Sequence, residues 1–286
     1  MAIPPKVSEQ GEATQVSLAD LRREIDRLDE TMHHLLIERS AIIATLIKVK
    51  KSDDTGSAFR PGREADMMRR LAARHEGLLP LDTAENIWRV IIGTFTYVQK
   101  AYAVHADISG GDAPMRDSAR FHFGFTVPYV THGSAAEVIA AVAASAGDLG
   151  MFRADQGAQA GAWWTALAEP SAPKIIARLP FIERPGHPAG TPVYVVAKPL
   201  AEAAARERVL IAVALERWQS RVPQALAALG AAVISSAAAE NGLSLLVEAP
   251  GNLAPQRLVA ALSGVGAAVV GASEVGSHAE RFAVSA

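Results

Sequence analysis

Residues 17–51 run SLADLRREIDRLDETMHHLLIERSAIIATLIKVKK. Neither glycine nor proline occurs between Gly11 and Gly56. The apolar positions Leu18, Leu21, Ile25, Leu28, Met32 and Leu35, then Ile42, Leu46 and Val49, recur every three or four residues, the period of one helix face. Ser17 suits the cap, Asp20 falls in the first turn, and Lys48, Lys50 and Lys51 fall in the last, which matches the helix dipole at both ends. The spacing predicts one continuous helix. At ~1.5 Å per residue it is a rod of about 52 Å, against a radius of gyration of roughly 13 Å for a compact domain of about 100 residues. Its apolar seam therefore needs a partner.

The seam is interrupted once. Stepping from Leu35 toward Ile42, the next position is Arg39, where desolvating an unpaired guanidinium would be costly. Lys50 follows about 20° from the same face and some 16 Å along the axis, so the two cations line one groove that suits a small dianion. Arg39 paired with Glu38 or Glu64, and Lys50 solvated in the last turn, is the plainer alternative. Arg22 lies about 25 Å before Arg39, so one small ligand meets both only if a second, antiparallel chain supplies one of them.

After a polar turn at 52–57, a second helix is expected from Pro61 to about His75. A third is expected from Asp82 to about Val104, with Ile87, Val90, Ile91, Thr94 and Val98 as its apolar face. Residues 107–118, with Ser109, Gly110, Gly111 and Pro114, read as a linker. Beyond it, Phe121–Val127 reads as a strand, Ser134–Ala146 as a helix and Pro192–Val196 as a strand. The last 80 or so residues read strand (Arg208–Leu215), helix (Trp218–Leu229), strands (Ala232–Ser236 and Leu243–Glu248), helix (Pro255–Leu262) and strand (Ala267–Ala272). That is the split β-α-β-β-α-β order of ferredoxin-like folds.

The 286-residue chain is 50% apolar, enough to bury a core in each of two domains. With 28 Lys+Arg against 30 Asp+Glu, a bulk field for nucleic acid is excluded, and an anion site must be a local cluster of cations. The absence of cysteine removes disulfides, thiolate metal sites and cysteine nucleophiles, and agrees with a cytoplasmic setting. Residues 1–16 read as a disordered N-terminus with neither signal peptide nor anchor, and no apolar run is long enough to span a bilayer. His33 and His34 point about 100° apart on a helix and lack the i, i+4 pairing of a metal site. Trp163 and Trp164 read as core or interface anchors, and Gly147-Asp148-Leu149-Gly150 as a turn.

The run Leu21-Arg22-Arg23-Glu24-Ile25-Asp26, then Leu28-Asp29-Glu30, Leu35-Leu36, Glu38-Arg39 and Lys48-Val49-Lys50, followed by Arg63-Glu64-Ala65 and Gln99, resembles the all-helical class of chorismate mutase. The likeness spans about Ser17 to Ala103 and fixes many positions at constant spacing. It implies a domain-swapped homodimer of three-helix protomers that rearranges chorismate to prephenate in phenylalanine and tyrosine biosynthesis, with no cofactor and no metal. By resemblance, Arg22 reaches the partner's site and grips one substrate carboxylate while Arg39 holds the other. Lys50 and Gln99 donate to the ether oxygen, Glu64 receives the ring hydroxyl, and Arg63 orders the local network. Two positions depart from the family pattern: Arg60 replaces an acidic residue and Phe95 a small one, so both contacts would have to be made through the backbone. The reaction asks for orientation and preorganised positive donors, which these side chains supply.

Residues 119–205 faintly resemble part of a prephenate dehydratase, through Gly147-Asp148-Leu149-Gly150-Met151 and Leu179-Pro180-Phe181. They are too short for a complete one, and only Glu280-Arg281-Phe282 echoes its Thr-Arg-Phe signature. The 208–275 pattern resembles an ACT fold, which implies an amino-acid effector. The expected organisation is multi-domain: a three-helix domain at 17–105, a linker at 106–118, an α/β region at 119–205 and an ACT-like ferredoxin-like domain at 206–286. Competing expectations are a catalytically silent or regulatory homologue with the helical dimer as scaffold, and isochorismate-pyruvate lyase-type chemistry on the same helices.

Overall fold

The fold is seen in a computed structural model, described here for residues 17–49, 58–155, 161–199, 205–239 and 242–284. It divides into two compact units, residues 1–51 and 52–286. The stretch 1–16, Lys50 and Lys51 lie outside the described residues.

The first unit is the long helix α1, Leu18–Val49. Its start is a reciprocal capping arrangement. Ser17 Oγ accepts from the Asp20 N–H at 3.1 Å, while the Asp20 carboxylate accepts from the Ser17 N–H at 3.2 Å and from its hydroxyl at 2.6 Å. Those bonds, the Ser17 hydroxyl first, hold the Asp20 carboxyl below its usual range. No residue of α1 is buried. Leu28, Leu35 and Ile42 on the seam are 47%, 57% and 69% exposed.

The second unit opens with α2 (Pro61–Arg74) and α3 (Leu81–Gln99). Pro61 stands in the first turn, where its missing N–H costs nothing. α3 is shorter than expected because β1 (Val104–Asp107) begins just after it. Its faces are also reversed. The buried residues are Ala84, Glu85, Arg89, Ile92, Gly93 and Thr96, while Ile87, Val90 and Val98 are exposed.

The stretch expected as linker and strand is instead the end of β1 and the helix α4 (Asp112–Phe123). α4 stops where Gly124 takes φ +73°, a conformation that favours glycine. There follow β2 (Tyr129–His132), α5 (Ala135–Ala144), β3 (Leu149–Arg153), a 3₁₀ turn at Trp163–Leu167, β4 (Lys174–Leu179), β5 (Ile182–Glu183) and β6 (Val193–Ala197). The expected α5 and β6 are present, whereas β1 to β4 were not read from the sequence. The Gly147–Gly150 segment is a turn only at its start, since Leu149 and Gly150 already belong to β3.

The last third follows the expected order: β7 (Arg208–Leu215), α6 (Val222–Ala227), β8 (Ala232–Ala239), β9 (Gly242–Pro250), α7 (Pro255–Gly264) and β10 (Val269–His278), then the short β11 (Phe282–Ala283). Its strands lie in the order β10-β7-β9-β8 and pair antiparallel, the split βαβ arrangement. They do not form a sheet of their own. One nine-stranded sheet runs β2-β1-β3-β6-β4-β10-β7-β9-β8, joined where Gly276 of β10 pairs with Ile175 of β4.

Three apolar clusters hold this unit. On one face α2, α3 and α4 bury Met68, Leu71, Ile92, Met115 and Phe123 against Leu149, Val193 and Val195. On the opposite face α5 and the 3₁₀ turn bury Val138, Val142 and Trp164 against Phe152, Tyr194 and Leu246. The third cluster packs α6 and α7, through Leu226, Leu258 and Leu262, on Val209, Ile211 and Val247. Strands in the middle of such a sheet are buried on both faces and read as continuous apolar runs, as the Val-Tyr-Val-Val-Ala of β6 does.

Candidate functional site

The residues expected to act on a ligand fall on both units. Arg22 and Arg39 lie on α1, Arg22 exposed and Arg39 half-buried. Arg60, Glu64, Phe95 and Gln99 lie on the second unit, and Lys50 lies outside the described residues. Arg60 is the residue before α2, and its Nη1–H donates to the Phe59 carbonyl at 3.3 Å. Its own carbonyl accepts the Glu64 N–H at 3.0 Å, the first helical bond of α2.

Glu64 is buried, and Arg89 Nη1–H donates to its Oε2 at 2.6 Å. Arg89 is itself fully buried. Its Nε–H and Nη2–H donate to the His122 carbonyl at 3.2 and 2.9 Å, and its guanidinium lies 5.2 Å from the centre of the Phe181 ring. Burial pushes the Glu64 carboxyl above its ordinary range, and the Arg89 charge opposes that push. The guanidinium cannot give up its proton, so the pair is the arrangement that leaves neither charge alone in the core.

Around this pair lies a layer of buried polar groups. His187 accepts from the Ala189 N–H at Nδ1, 3.0 Å, so its Nε2–H is the donor facing Glu85 Oε2 at 3.1 Å. The ring of His122 stacks 6.4 Å from that of His187, and burial, then Arg89, then His187 hold its pKa well below the usual value.

At the far end of α3 the Gln99 side-chain amide donates to the Phe95 carbonyl at 3.1 Å. α3 advances about 15 Å between Arg89 and Gln99, and no hydrogen bond links Gln99 to Glu64 among the described residues.

Arg89, the buried partner of Glu64, is a residue that the sequence did not single out. Glu85 and Arg89 stand one turn apart, and an acid–base pair at that spacing reads as a solvated face. The available signal was the aliphatic stripe Ile87, Val90, Ile91 and Val98. If a partner takes that stripe, the charged face is left to turn inward.

Residues 21–100 match the family model for chorismate mutase type II. No curated protein matches the sequence. Among solved structures, that of prephenate dehydratase from Arthrobacter aurescens in complex with L-Phe is similar at 12% identity, over 63% of this chain and 90% of that one, with a TM-score of 0.42. A likeness at that score carries no weight for the fold or the ligands of this chain.

Proposed function

We propose that the protein is a chorismate mutase, an isomerase converting chorismate to prephenate within aromatic amino-acid biosynthesis. The observation that carries this reading is the chorismate mutase type II match over residues 21–100, which takes in α1, α2 and α3. The reaction is an intramolecular rearrangement that needs no nucleophile or redox partner. It requires a folded dianion held still and positive donors placed at the breaking carbon–oxygen bond.

In this reading two copies pair through α1. The seam of α1 and the outward stripe of α3 are both exposed in one chain, and such surface is stably buried only against another molecule. Arg22 of one copy and Arg39 of the other clamp the two carboxylates, Lys50 and Gln99 donate to the ether oxygen, and Glu64 takes the ring hydroxyl. The 206–286 region is proposed as an ACT-like sensor for phenylalanine or a related amino acid. An isothermal titration without heat for every aromatic amino acid would remove that part.

The deciding experiment follows chorismate absorbance with purified protein, then converts any product to phenylpyruvate with acid. Loss of absorbance with phenylpyruvate formed supports the mutase, while pyruvate release instead identifies the lyase-type chemistry. Arg39→Ala or Lys50→Ala should lower kcat by roughly 100-fold or more, the cost of one preorganised donor. Mixing inactive Arg22→Ala and Arg39→Ala chains should restore some activity, because certain mixed dimers hold one complete site. Absence of recovery after proven subunit exchange rules out shared sites.

One observation favours the second reading, a catalytically silent scaffold: an oxygen of Glu64 is already engaged by Arg89. Unchanged chorismate over long incubation with a verified dimer would select it.

A further inference from the structure

Away from the helices that match the mutase family, two buried polar atoms without a hydrogen-bond partner among the described residues stand close together. They are Arg178 Nε and the Tyr194 hydroxyl. Arg178 on β4 stands opposite Tyr194 on β6, with its guanidinium carbon 5.8 Å from the centre of the tyrosine ring. The rings of Tyr194 and His278 are 6.1 Å apart. Tyr194 is 1% exposed. Leaving a buried hydroxyl unbonded is costly, so such a group points to something it meets in the working protein.

The charges around it do not balance. Arg178 Nη1 and Arg208 Nε both donate to Glu248, at 3.1 and 3.2 Å, and His278 Nε2 lies 3.3 Å from the same carboxylate. The other His278 nitrogen faces the Ala279 carbonyl at 2.8 Å. Among the described residues Arg281 pairs only with Glu183, which is half exposed, at 2.7 Å. The next acid, Glu207, is taken by Arg69 and by the Glu280 N–H. Three guanidiniums and the His278 imidazole thus share two carboxylates. Burial and the nearby Arg178 charge both hold the Arg281 pKa below its usual value, and burial pushes the Tyr194 phenol up to about 12, so it stays a neutral donor.

We propose that this place holds a small carboxylate anion, gripped by Arg178 and Arg281 and receiving a hydrogen bond from the Tyr194 hydroxyl. Basic groups outnumber the carboxylates there, and a bound carboxylate would offset part of that excess. The planar guanidinium fork also matches the two oxygens of a carboxylate. The anion would sit where β4 of the first half-sheet meets β10 of the second, and this site does not depend on the mutase reading.

The test uses the intact protein and sodium acetate as the probe, at ionic strength held constant with chloride. Raising acetate to ten times its dissociation constant should lift Tm by about 3 °C. Acetate should also change the tryptophan fluorescence, since Trp163 lies 6.3 Å from Tyr194. Tyr194→Phe should leave the acetate-free Tm unchanged and weaken acetate about tenfold, and Arg281→Gln should abolish the response. The proposal is overturned if acetate acts no differently from chloride or if only phosphate stabilises. It is equally overturned if Tyr194→Phe lowers the acetate-free Tm and leaves the acetate response intact, because the hydroxyl is then only a structural group.

Discussion

Glu64 and Arg89 show how much of this molecule turns on single charged side chains placed in a core. Arg89 is fully buried and divides its donors between the Glu64 carboxylate and the His122 carbonyl. Arg89→Met leaves the buried Glu64 carboxylate without its counter-charge and should cost about 3–5 kcal/mol in urea unfolding. Adding Glu64→Gln should recover much of that loss, because the buried charge leaves with its partner. A loss below ~1 kcal/mol for Arg89→Met would mean that Glu64 finds water instead. Glu248 makes the opposite case. Burial alone would raise its carboxyl, yet His278, Arg178 and Arg208 bring it down to about 2. A carboxyl depressed in the folded state lends stability above its ordinary pKa of about 4.5 and loses it as pH falls toward 2, here roughly 3 kcal/mol. An acid titration of Glu248→Gln should therefore lack most of the wild-type stability change between those limits, and an unchanged acid profile would refute the assignment. Neither cluster was legible in the sequence, because its members lie on separate elements and nothing in their spacing reports burial.

At the scale of elements, α1 was the most legible part of the chain and α4 the least. α1 has an uninterrupted helical period and the Ser17–Asp20 cap, both of which appear in the structure. Its seam remains exposed along the chain, and the proposed dimer would cover it. Leu28→Glu or Leu35→Glu should convert a dimer to monomer in sedimentation velocity and lower activity with it. An unaltered sedimentation coefficient at micromolar concentration would rule out a dimer built on this seam. α4 was hidden by its punctuation. Gly110, Gly111 and Pro114 read as linker, but Pro114 occupies the first turn, where the ring is tolerated. The alternation Phe121-His122-Phe123-Gly124-Phe125 imitates a strand, while Phe123 closes the helix core and Phe125 is left at the surface. α3 was located correctly and faced wrongly, since periodicity tells that a stripe exists but not whether the chain's own core or another molecule receives it.

At the scale of the whole molecule, the regions 119–205 and 206–286, expected as neighbours in sequence, share one sheet. The βαββαβ order of the second was legible because its strands alternate with turns at regular intervals, as β7 with Arg208–Leu215 demonstrates. The join was not legible, because strand pairing across 100 residues leaves no local period. It rests on Gly276, the residue of β10 that pairs with Ile175 of β4. A Cβ built at Gly276 would collide with the Ile175 carbonyl oxygen, and the residue takes φ +151°, which L side chains rarely adopt. Gly276→Ala must therefore push β4 and β10 apart at the one register pair that links the half-sheets. Wild-type residues 52–286 form one compact unit, so their urea unfolding should be a single transition with coincident tryptophan fluorescence and circular dichroism. In Gly276→Ala the transitions should separate. The β1 to β6 half would melt at a different midpoint from the β7 to β10 half, which then survives as a folded fragment under limited proteolysis. Coincident transitions at the wild-type midpoint in that variant would show that the halves are held together by their cores and side-chain ion pairs, with the backbone join contributing nothing measurable.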